Sequence, residues 1–452
     1  MNKFVSLALA SALWGFTTQA APAAPGTPAT PPIKPAITPT AAARMPPRSG
    51  PVYLVGAELH VGDGTIIKDA VIAMDGGKFT IVGGAEARGR LLDESMAIDL
   101  AGKVVTPGLF AADTQLGLVE IDLEPGTRDD GKDTDHPVRA AHDAASALNA
   151  ESGLIPIQVV EGVTSAAVVP TGGLISGQVA IIDLVHGDHR GLAAQPRAAV
   201  AAHLGHAHAG SRAATLAKLR EVLRDAKSYP ARRQAYERAQ SRELSAHPLD
   251  LEALQSLFSK QQQAVLTVTA HRASDILAAI DLAREFGLRL TIIGGAEAWK
   301  VADELARAKV PVIVEPTLNL PGGFDSMGAR LDNAALLHRA GAVVALSAPG
   351  GTHNLRSLTQ GAGIAVANGL PWEAALTAIT LGAARAYGVE RTHGSVAVGK
   401  VANLVVWSGD PFEFSSAPVQ VYVRGALVRS TTRQTLLRDR YRDLEQFNRQ
   451  SK

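Results

Sequence analysis

The sequence contains no cysteine, although the chain is 452 residues long. This absence excludes disulfides and lipid attachment through cysteine, so stability depends on the hydrophobic core alone. The composition allows a sizeable core, because 46% of the residues are hydrophobic and only 19% are charged. A chain of this length fits two domains, or one large barrel with an attached domain.

Aromatic residues and net charge are also scarce. Aromatic residues make up 4% of the chain, which argues against a stacking surface for single-stranded nucleic acid. Lys and Arg total 44 against 43 Asp and Glu, and the formal net charge of +1 gives no argument for anionic partners. The motif G-x-x-x-x-G-K-[ST] is absent, and Ser347 is not in a G-x-S-x-G elbow. We therefore expect no nucleic-acid partner, no nucleotide loop and no serine hydrolase.

Long apolar runs are missing after the N-terminus. The first residues, "MNKFVSLALASALWGFTTQAAPA", contain Lys3, an apolar run and then small residues, which is the order of a secretory signal peptide. The run is shorter than the roughly 20 residues that a membrane span needs. We expect residues 1–20 to be a signal peptide, the protein to be periplasmic or secreted, and no membrane span to remain after cleavage. Residues 21–50, rich in Ala and Pro, have the composition of an extended linker.

After residue 50 the pattern of apolar and turn-forming residues changes twice along the chain. Residues 51–106 and 396–432 are short β-rich runs separated by glycine turns, which predicts one composite β-sandwich domain. Residues 107–395 alternate apolar strands with helices, such as the helix "SDILAAIDLAREFG" with an N-cap serine and a terminal glycine. This pattern predicts an α/β fold, either a barrel or an open doubly wound sheet. Residues 433–452 predict a charged C-terminal helical tail or a frayed end.

Three stretches of the sequence carry a family resemblance. They are "AGKVVTPGLFAADTQLGL", "VTAHRASDILAAIDLAREFGLRLTIIGGAEAWKVADELA" and "GLPWEAALTAITLGAARAYGVERTHGSVAVGKVANLVVWSGDP". Together they resemble the amidohydrolase superfamily, in its imidazolonepropionase-like and prolidase-like branch. The likeness extends over about residues 51–430. It departs from the family pattern at Val401, where relatives have an acidic or other polar residue, and at Asn403, where they have an aspartate.

The resemblance implies a distorted (β/α)8 TIM-like barrel with a small β-sandwich built from both chain ends. It also implies an active site at the C-terminal ends of the strands. In active relatives, histidines on strands one, five and six and a carboxylated lysine or glutamate on strand four hold one or two divalent metals. A strand-eight aspartate then transfers the proton of the metal-bound water.

Most of these positions carry other residues in this chain. Asp113 and Gln115 stand for the strand-one histidines, Thr269 and Gly294 for those of strands five and six, and Ala348 for the aspartate. The segment "PRAAVAAHLG" is the best candidate for strand four and offers no lysine or glutamate. We expect no metal cofactor and no assigned catalytic residue. The pocket candidates are Asp113, Gln115, Thr269, His271, Arg272, Gly294, Glu297, Ala348, His353 and Asn354.

One histidine cluster favours a different interpretation. The segment "AAHLGHAHAG" places His203, His206 and His208 within six residues. Three imidazoles at this spacing are compatible with a relocated site for a single divalent metal such as zinc, or with a solvent-facing loop.

Two functions therefore stay open at this point. The first is an exported hydrolase acting on a non-peptide or terminal carbon–nitrogen bond. The second is a catalytically inactive pseudo-amidohydrolase that binds a small molecule or pairs with an active paralogue, because a fold alone does not establish an activity. A homo-oligomer is a further expected arrangement.

Overall fold

The computed structural model describes residues 50–131, 136–205, 208–240, 242–349 and 352–442. Several predictions lie outside these residues, namely the signal peptide, the linker up to residue 49, His206 and the tail from residue 443. Within the described residues, no helix is both long enough and apolar enough to cross a membrane.

Sixteen strands occur in the described residues. They are β1 Val52–His60, β2 Ile66–Asp75, β3 Lys78–Gly83, β4 Ile98–Asp99, β5 Val104–Pro107, β6 Leu109–Thr114, β7 Val163–Val168, β8 Ile175–Asp183, β9 Ala193–His203, β10 Val265–Ala270, β11 Arg289–Gly294, β12 Val312–Val314, β13 Val344–Leu346, β14 Leu404–Trp407, β15 Pro418–Val423 and β16 Ala426–Leu427.

The α-helices of the same residues are mostly short. They are α1 Ala144–Ala147, α2 Leu154–Val159, α3 Arg212–Glu237, α4 Pro248–Ala253, α5 Ala273–Phe286, α6 Ala302–Ala308, α7 Asn333–Arg339, α8 Leu358–Ala367, α9 Trp372–Ala378, α10 Leu381–Ala386 and α11 Arg433–Tyr441. A 3-10 helix at Thr352–Ser357 follows β13 and leads into α8.

The two β-rich ends of the chain share one sheet. Its strand order is β16-β15-β14-β5-β1-β2-β3, with β4 pairing with β1. The ends join where β14 runs antiparallel to β5, with Leu404 opposite Pro107 and Trp407 opposite Val104. Their inward side chains form a common apolar core around Leu59, Ile72 and Leu404. Residues from the two ends therefore form a single folded layer.

The middle of the chain forms a second sheet of eight strands, in the order β6 to β13. β13 approaches β6, so that the sheet nearly closes into a barrel. The helices pack outside it, and a separate inner core that includes Phe110, Ile181 and Tyr387 fills its centre. This mixed α/β architecture confirms the predicted fold class of a distorted TIM-like barrel.

The barrel departs from uniform parallel pairing at β8. This strand runs antiparallel to both β7 and β9, whereas β9 to β13 are parallel. The connections on either side of β8 are short and contain no helix, and a parallel pairing would need a longer crossover. The expectation of βα repeats throughout the middle region is therefore wrong for this hairpin.

The start of helix α5 also differs from its prediction. The predicted N-cap serine, Ser274, lies inside the helix, and the N-cap residue is Arg272. The Glu297 carboxylate instead accepts a hydrogen bond from the backbone N–H of Ala273 at 3.1 Å. The C-terminal stop is as expected, because Gly287 adopts a left-handed conformation with φ of +72°.

Candidate functional site

The C-terminal ends of the barrel strands bring the predicted positions to one end of the barrel. Asp113 lies at the end of β6, Thr269 near the end of β10, and Gly294 at the end of β11. Ala348 follows β13 by two residues and is buried. In barrels of this kind the strand ends form the functional face, so we call this region the mouth.

Asp113 is an isolated acid at the mouth. Burial raises the pKa of Asp113 to about 6, and no neighbouring cation opposes this effect. The carboxylate also contributes to the raised pKa of Tyr387, whose hydroxyl donates to the Ala112 carbonyl at 2.6 Å. A carboxylate without a cation in such surroundings keeps its proton to a higher pH than an exposed one.

Gln115 is engaged by the fold. Its side-chain amide donates to the Val169 carbonyl at 3.3 Å, and its side-chain oxygen accepts from the Thr352 hydroxyl at 3.3 Å. The Gln115 backbone N–H also donates to the Thr352 hydroxyl at 3.2 Å. Both ends of this side chain therefore hold two loops together, and an amide is in any case a poor zinc ligand.

The position of the strand-six histidine of active relatives is Gly294, at the end of β11, and the ring of His271 lies directly beside it. Gly294 has φ of +93°, and a Cβ atom built there would lie 2.5 Å from Cε1 of His271. Burial lowers the pKa of His271, against the opposing charges of Asp325 and Asp275. The ring is therefore neutral near pH 7, and its Nδ1 is buried without a hydrogen-bond partner. A side chain at position 294 would therefore require the His271 ring to move.

Restoring that histidine is expected to destabilise the protein. Gly294→His combines a strained positive φ with overpacking against His271, so we expect a loss of about 2 kcal/mol in the free energy of unfolding. Urea denaturation measures this loss. Gly287→His is the matched control, because Gly287 also has positive φ but open space around its Cβ position. An equal loss in both variants would contradict the role of the His271 ring.

His203 lies beside Thr269 across the β9–β10 pair. Its Nε2 is 2.7 Å from the Ser176 hydroxyl, which itself donates to the Gly172 carbonyl. The single hydroxyl proton is thus used, so Nε2 of His203 carries the proton of this imidazole and Nδ1 keeps a lone pair. Burial, with the charges of His208 and Arg139, lowers the pKa of His203 to about 4.

His208 is the second described member of the histidine cluster. Its ring centroid is 5.6 Å from that of His203, and burial lowers its pKa as well. Two neutral imidazoles therefore lie together at the end of β9, next to the hairpin formed by β7 and β8.

The remaining pocket candidates have identifiable contacts or positions. Glu297 caps α5 and binds Lys300 at 2.7 Å, and Arg272 is exposed. His353 faces the loop after β6, where its Nε2 is 2.9 Å from the Glu120 carbonyl. Asn354 is at a non-helical kink in the 3-10 helix. Glu297 and His353 thus have contacts that hold the rim of the mouth together.

The sequence analysis missed two arginines at the mouth. Arg212 joins three elements, because its guanidinium binds Asp275 at 3.0 Å and also pairs with Asp325 in the loop after β12. Arg139 donates to the Thr171 carbonyl at 2.9 Å, and its Nε is buried without a partner. Neither arginine is part of a sequence motif, and each is recognisable only by its neighbours in space.

The donor set does not fit the metal centre that the resemblance implies. Asp113 is the sole carboxylate among the aligned positions, and Gln115, Thr269, Gly294 and Ala348 supply no imidazole. In the part of the chain that the structure describes, no three His, Asp or Glu side chains are grouped to hold a metal ion. A zinc site needs at least three protein ligands together.

Sequence and structure comparisons agree on the superfamily. The model of a family described as "Amidohydrolase family" matches residues 338–429. The structure is similar to the crystal structure of an amidohydrolase from Thermotoga maritima MSB8, with a TM-score of 0.74 and 27% identity. This likeness covers 84% of the present chain and 99% of the other. The chain belongs to the amidohydrolase superfamily.

Solved structures of lower sequence identity share the fold. A prolidase complexed with N-methylphosphonate-L-proline has a TM-score of 0.52 at 16% identity, covering 84% of this chain and 100% of the other. An adenosine deaminase from Xanthomonas campestris with bound zinc has a TM-score of 0.50 at 16% identity, covering 86% and 96%. The amidohydrolase tasK of Hapsidospora irregularis is 40% identical over 57 residues. This match spans 13% of the present chain and 6% of tasK.

Proposed function

We propose that this amidohydrolase-superfamily protein binds a small molecule at the mouth of its barrel and does not hydrolyse it through the metal centre of active relatives. The observation that carries this proposal is the His271 ring, which fills the space that a ligand side chain at Gly294 would need. Gln115 and Ala348 support it, because neither supplies a metal ligand or a proton acceptor.

The remaining groups suit a polar organic ligand. His203, through its lone pair, and Thr269 offer hydrogen-bond acceptors on neighbouring strands, and Asp113 offers another at the end of β6. Arg139 offers a donor. Binding pockets commonly combine a few such polar groups with an apolar surround. A protein of this kind acts as a ligand-binding subunit, alone or together with an active paralogue.

A second candidate is a hydrolase of carbon–nitrogen bonds with one relocated zinc ion. The adjacent, neutral rings of His203 and His208 favour it, because a neutral imidazole is the form that binds a metal. The names of the amidohydrolase and prolidase neighbours also support cleavage of such bonds. His206 lies outside the described residues, and the site would need it or another group as a third ligand.

Metal content separates the two candidates. We expect elemental analysis of the purified protein, without added metal, to find well below one equivalent of zinc or manganese. One bound equivalent that disappears in His203→Ala and His208→Ala would contradict the first proposal, if a chelator also abolishes amide hydrolysis. One bound equivalent that instead disappears in Asp113→Ala would mean that oxygen ligands at the old site hold it.

We also propose that the protein works in the periplasm or outside the cell. The order of charged, apolar and small residues in positions 1–20 supports this location. N-terminal sequencing of protein recovered from the periplasm should find a start near residue 21. A start at Met1 would contradict the proposal.

A further inference from the structure

A cavity lies at the opposite end of the barrel from the mouth. It has a volume of about 520 Å³ and lies at the N-terminal ends of strands β10, β11 and β12. Val265, Leu290, Val310 and Pro311 give it an apolar base. None of the residues discussed for the mouth lines this cavity.

The charged residues around this cavity have one sign. Five of its fifteen lining residues are basic and none is acidic; the five are Arg284, Arg289, Arg307, Lys309 and Arg385. The whole chain is nearly balanced, with 44 basic and 43 acidic residues, so this is a local concentration of positive charge. We call these five side chains the basic ring.

Two members of the basic ring are neutralised by neighbours. Arg284 binds Asp281 at 2.9 Å, and Arg307 binds Glu304 at 3.1 Å. Asp281 lies in α5 and Glu304 in α6, and both line a smaller groove beside the cavity. These exposed pairs contribute little to stability. Neither acid pairs with the other three cations of the basic ring.

Arg289, Lys309 and Arg385 have no acidic side chain within salt-bridge distance among the described residues. The guanidinium of Arg289 rests against Gly388, where a Cβ atom would lie 2.3 Å from Nη2. Its hydrogen bond to the Gln263 carbonyl is long, at 3.4 Å. The close approach to a glycine therefore positions this guanidinium while leaving most of its donors available.

Lys309 is held in an unusual backbone conformation. It ends α6 with φ of +54°, where the equivalent end of α5 has Gly287. A left-handed residue with a Cβ atom is strained, and glycine is the usual choice at such a position. Lys309 lines the cavity, so a lysine at this strained position adds a cation where glycine would add none.

We propose that this cavity binds a small, multiply charged oxyanion that carries phosphate or carboxylate groups. Guanidinium groups form paired hydrogen bonds with both kinds of oxyanion, and an ammonium adds a further charge-assisted bond. The apolar base suits the carbon skeleton of an organic anion. The site is separate from the mouth, so this inference does not depend on the function proposed there.

The test is binding of two probe anions to the full-length protein. Binding is measured by isothermal titration calorimetry, and the unfolding temperature by thermal denaturation, with sodium pyrophosphate and with sodium citrate. Sodium chloride at matched ionic strength is the reference. We expect one anion to bind per chain and to raise the unfolding temperature. In Arg289→Gln/Lys309→Gln the affinity should fall about tenfold or more, as expected on losing charge-assisted bonds. Arg385→Gln, at an exposed position, should lower the affinity without affecting folding.

The matched control is Arg90→Gln/Arg190→Gln, which removes two exposed cations that do not line the cavity and should leave binding unchanged. Binding of pyrophosphate alone would identify phosphate groups as the ligand chemistry, and binding of citrate alone would identify carboxylates. Binding that is absent, or equal in all variants, would overturn the proposal. A loss of stability in the variants that is the same with and without anion would also overturn it. The cations would then stabilise only the C-terminal ends of α5 and α6.

Discussion

Replacing Asp183 with alanine is expected to lower the free energy of unfolding by about 4 kcal/mol. Asp183 ends β8 and is only 1% exposed. Its carboxylate accepts hydrogen bonds from Ser165 at 3.0 Å, Asn403 at 2.8 Å and Arg424 at 2.7 Å, and lies 3.3 Å from His393. The alanine variant would leave all these groups without their shared acceptor, at the joint between the barrel and the other sheet.

The same network gives a defined dependence on pH. Burial alone would raise the pKa of Asp183, but His393 and Arg424 outweigh it and lower the pKa from 3.8 to about 2. A depressed pKa means that the carboxylate stabilises the fold fully above pH 4 and that this stability is lost as the pH falls towards 2. The pH-dependent part is about 2 kcal/mol. Asp183→Asn should remove this contribution, so that its stability falls less between pH 4 and pH 2 than that of the wild type.

Urea denaturation at pH 7 and pH 3 measures both effects. Asp281→Ala is the control, because its exposed pair with Arg284 should cost below about 1 kcal/mol. A loss of similar size in Asp183→Ala and Asp281→Ala would contradict the structural role of the network. If Asp183→Asn loses as much stability between pH 7 and pH 3 as the wild type does, the lowered pKa is contradicted.

The network also explains one departure from the family pattern. Position 403 is asparagine where relatives have aspartate, and its amide donates to both Ser165 and Asp183 while its oxygen accepts from the Arg424 backbone N–H. An aspartate there would place two carboxylates in contact. The sequence alone indicated that Asn403 was unusual, but the partner lies 220 residues away in the chain and could not be inferred.

Periodicity and resemblance predicted the barrel and its parallel strands well, because βα repeats and apolar strand runs are local signals. The β7–β8–β9 hairpins were not foreseen, since strand direction depends on connection length as well as on strand composition. At the mouth, alignment indicated which ligands were replaced. It did not show that His271 fills the space at Gly294 or that Gln115 joins Thr352 to Val169, because both contacts depend on side-chain packing between distant segments.

Replacing Asp113 with asparagine is expected to stabilise the protein by about 2 kcal/mol at pH 8. Burial without a neighbouring cation raises the pKa of Asp113 from 3.8 to about 6, so its charged form is disfavoured in the folded state. The partial exposure of this side chain reduces the effect below that of a fully buried acid. Asparagine keeps the shape of the side chain and removes the charge.

The sign of the pH dependence follows from the raised pKa. Well below pH 3.8 the group is protonated in both states and contributes nothing to the difference. As the pH rises from about 4 to 6, the unfolded chain loses its proton first, so folding becomes less favourable, and the full cost remains above pH 6. The wild-type protein and Asp113→Asn should therefore have equal stability near pH 3.5 and diverge towards pH 8.

This variant also decides between the two states proposed for the mouth. Denaturant unfolding from pH 3.5 to 8, with and without a chelator, gives the measurement. If no cation is bound, Asp113→Asn is more stable at pH 8 and the chelator has no effect. If a divalent metal uses Asp113, the metal offsets the buried charge, and the same substitution lowers stability and abolishes its sensitivity to the chelator. The direction of one stability change thus reports whether the position that replaced a histidine still serves as a ligand.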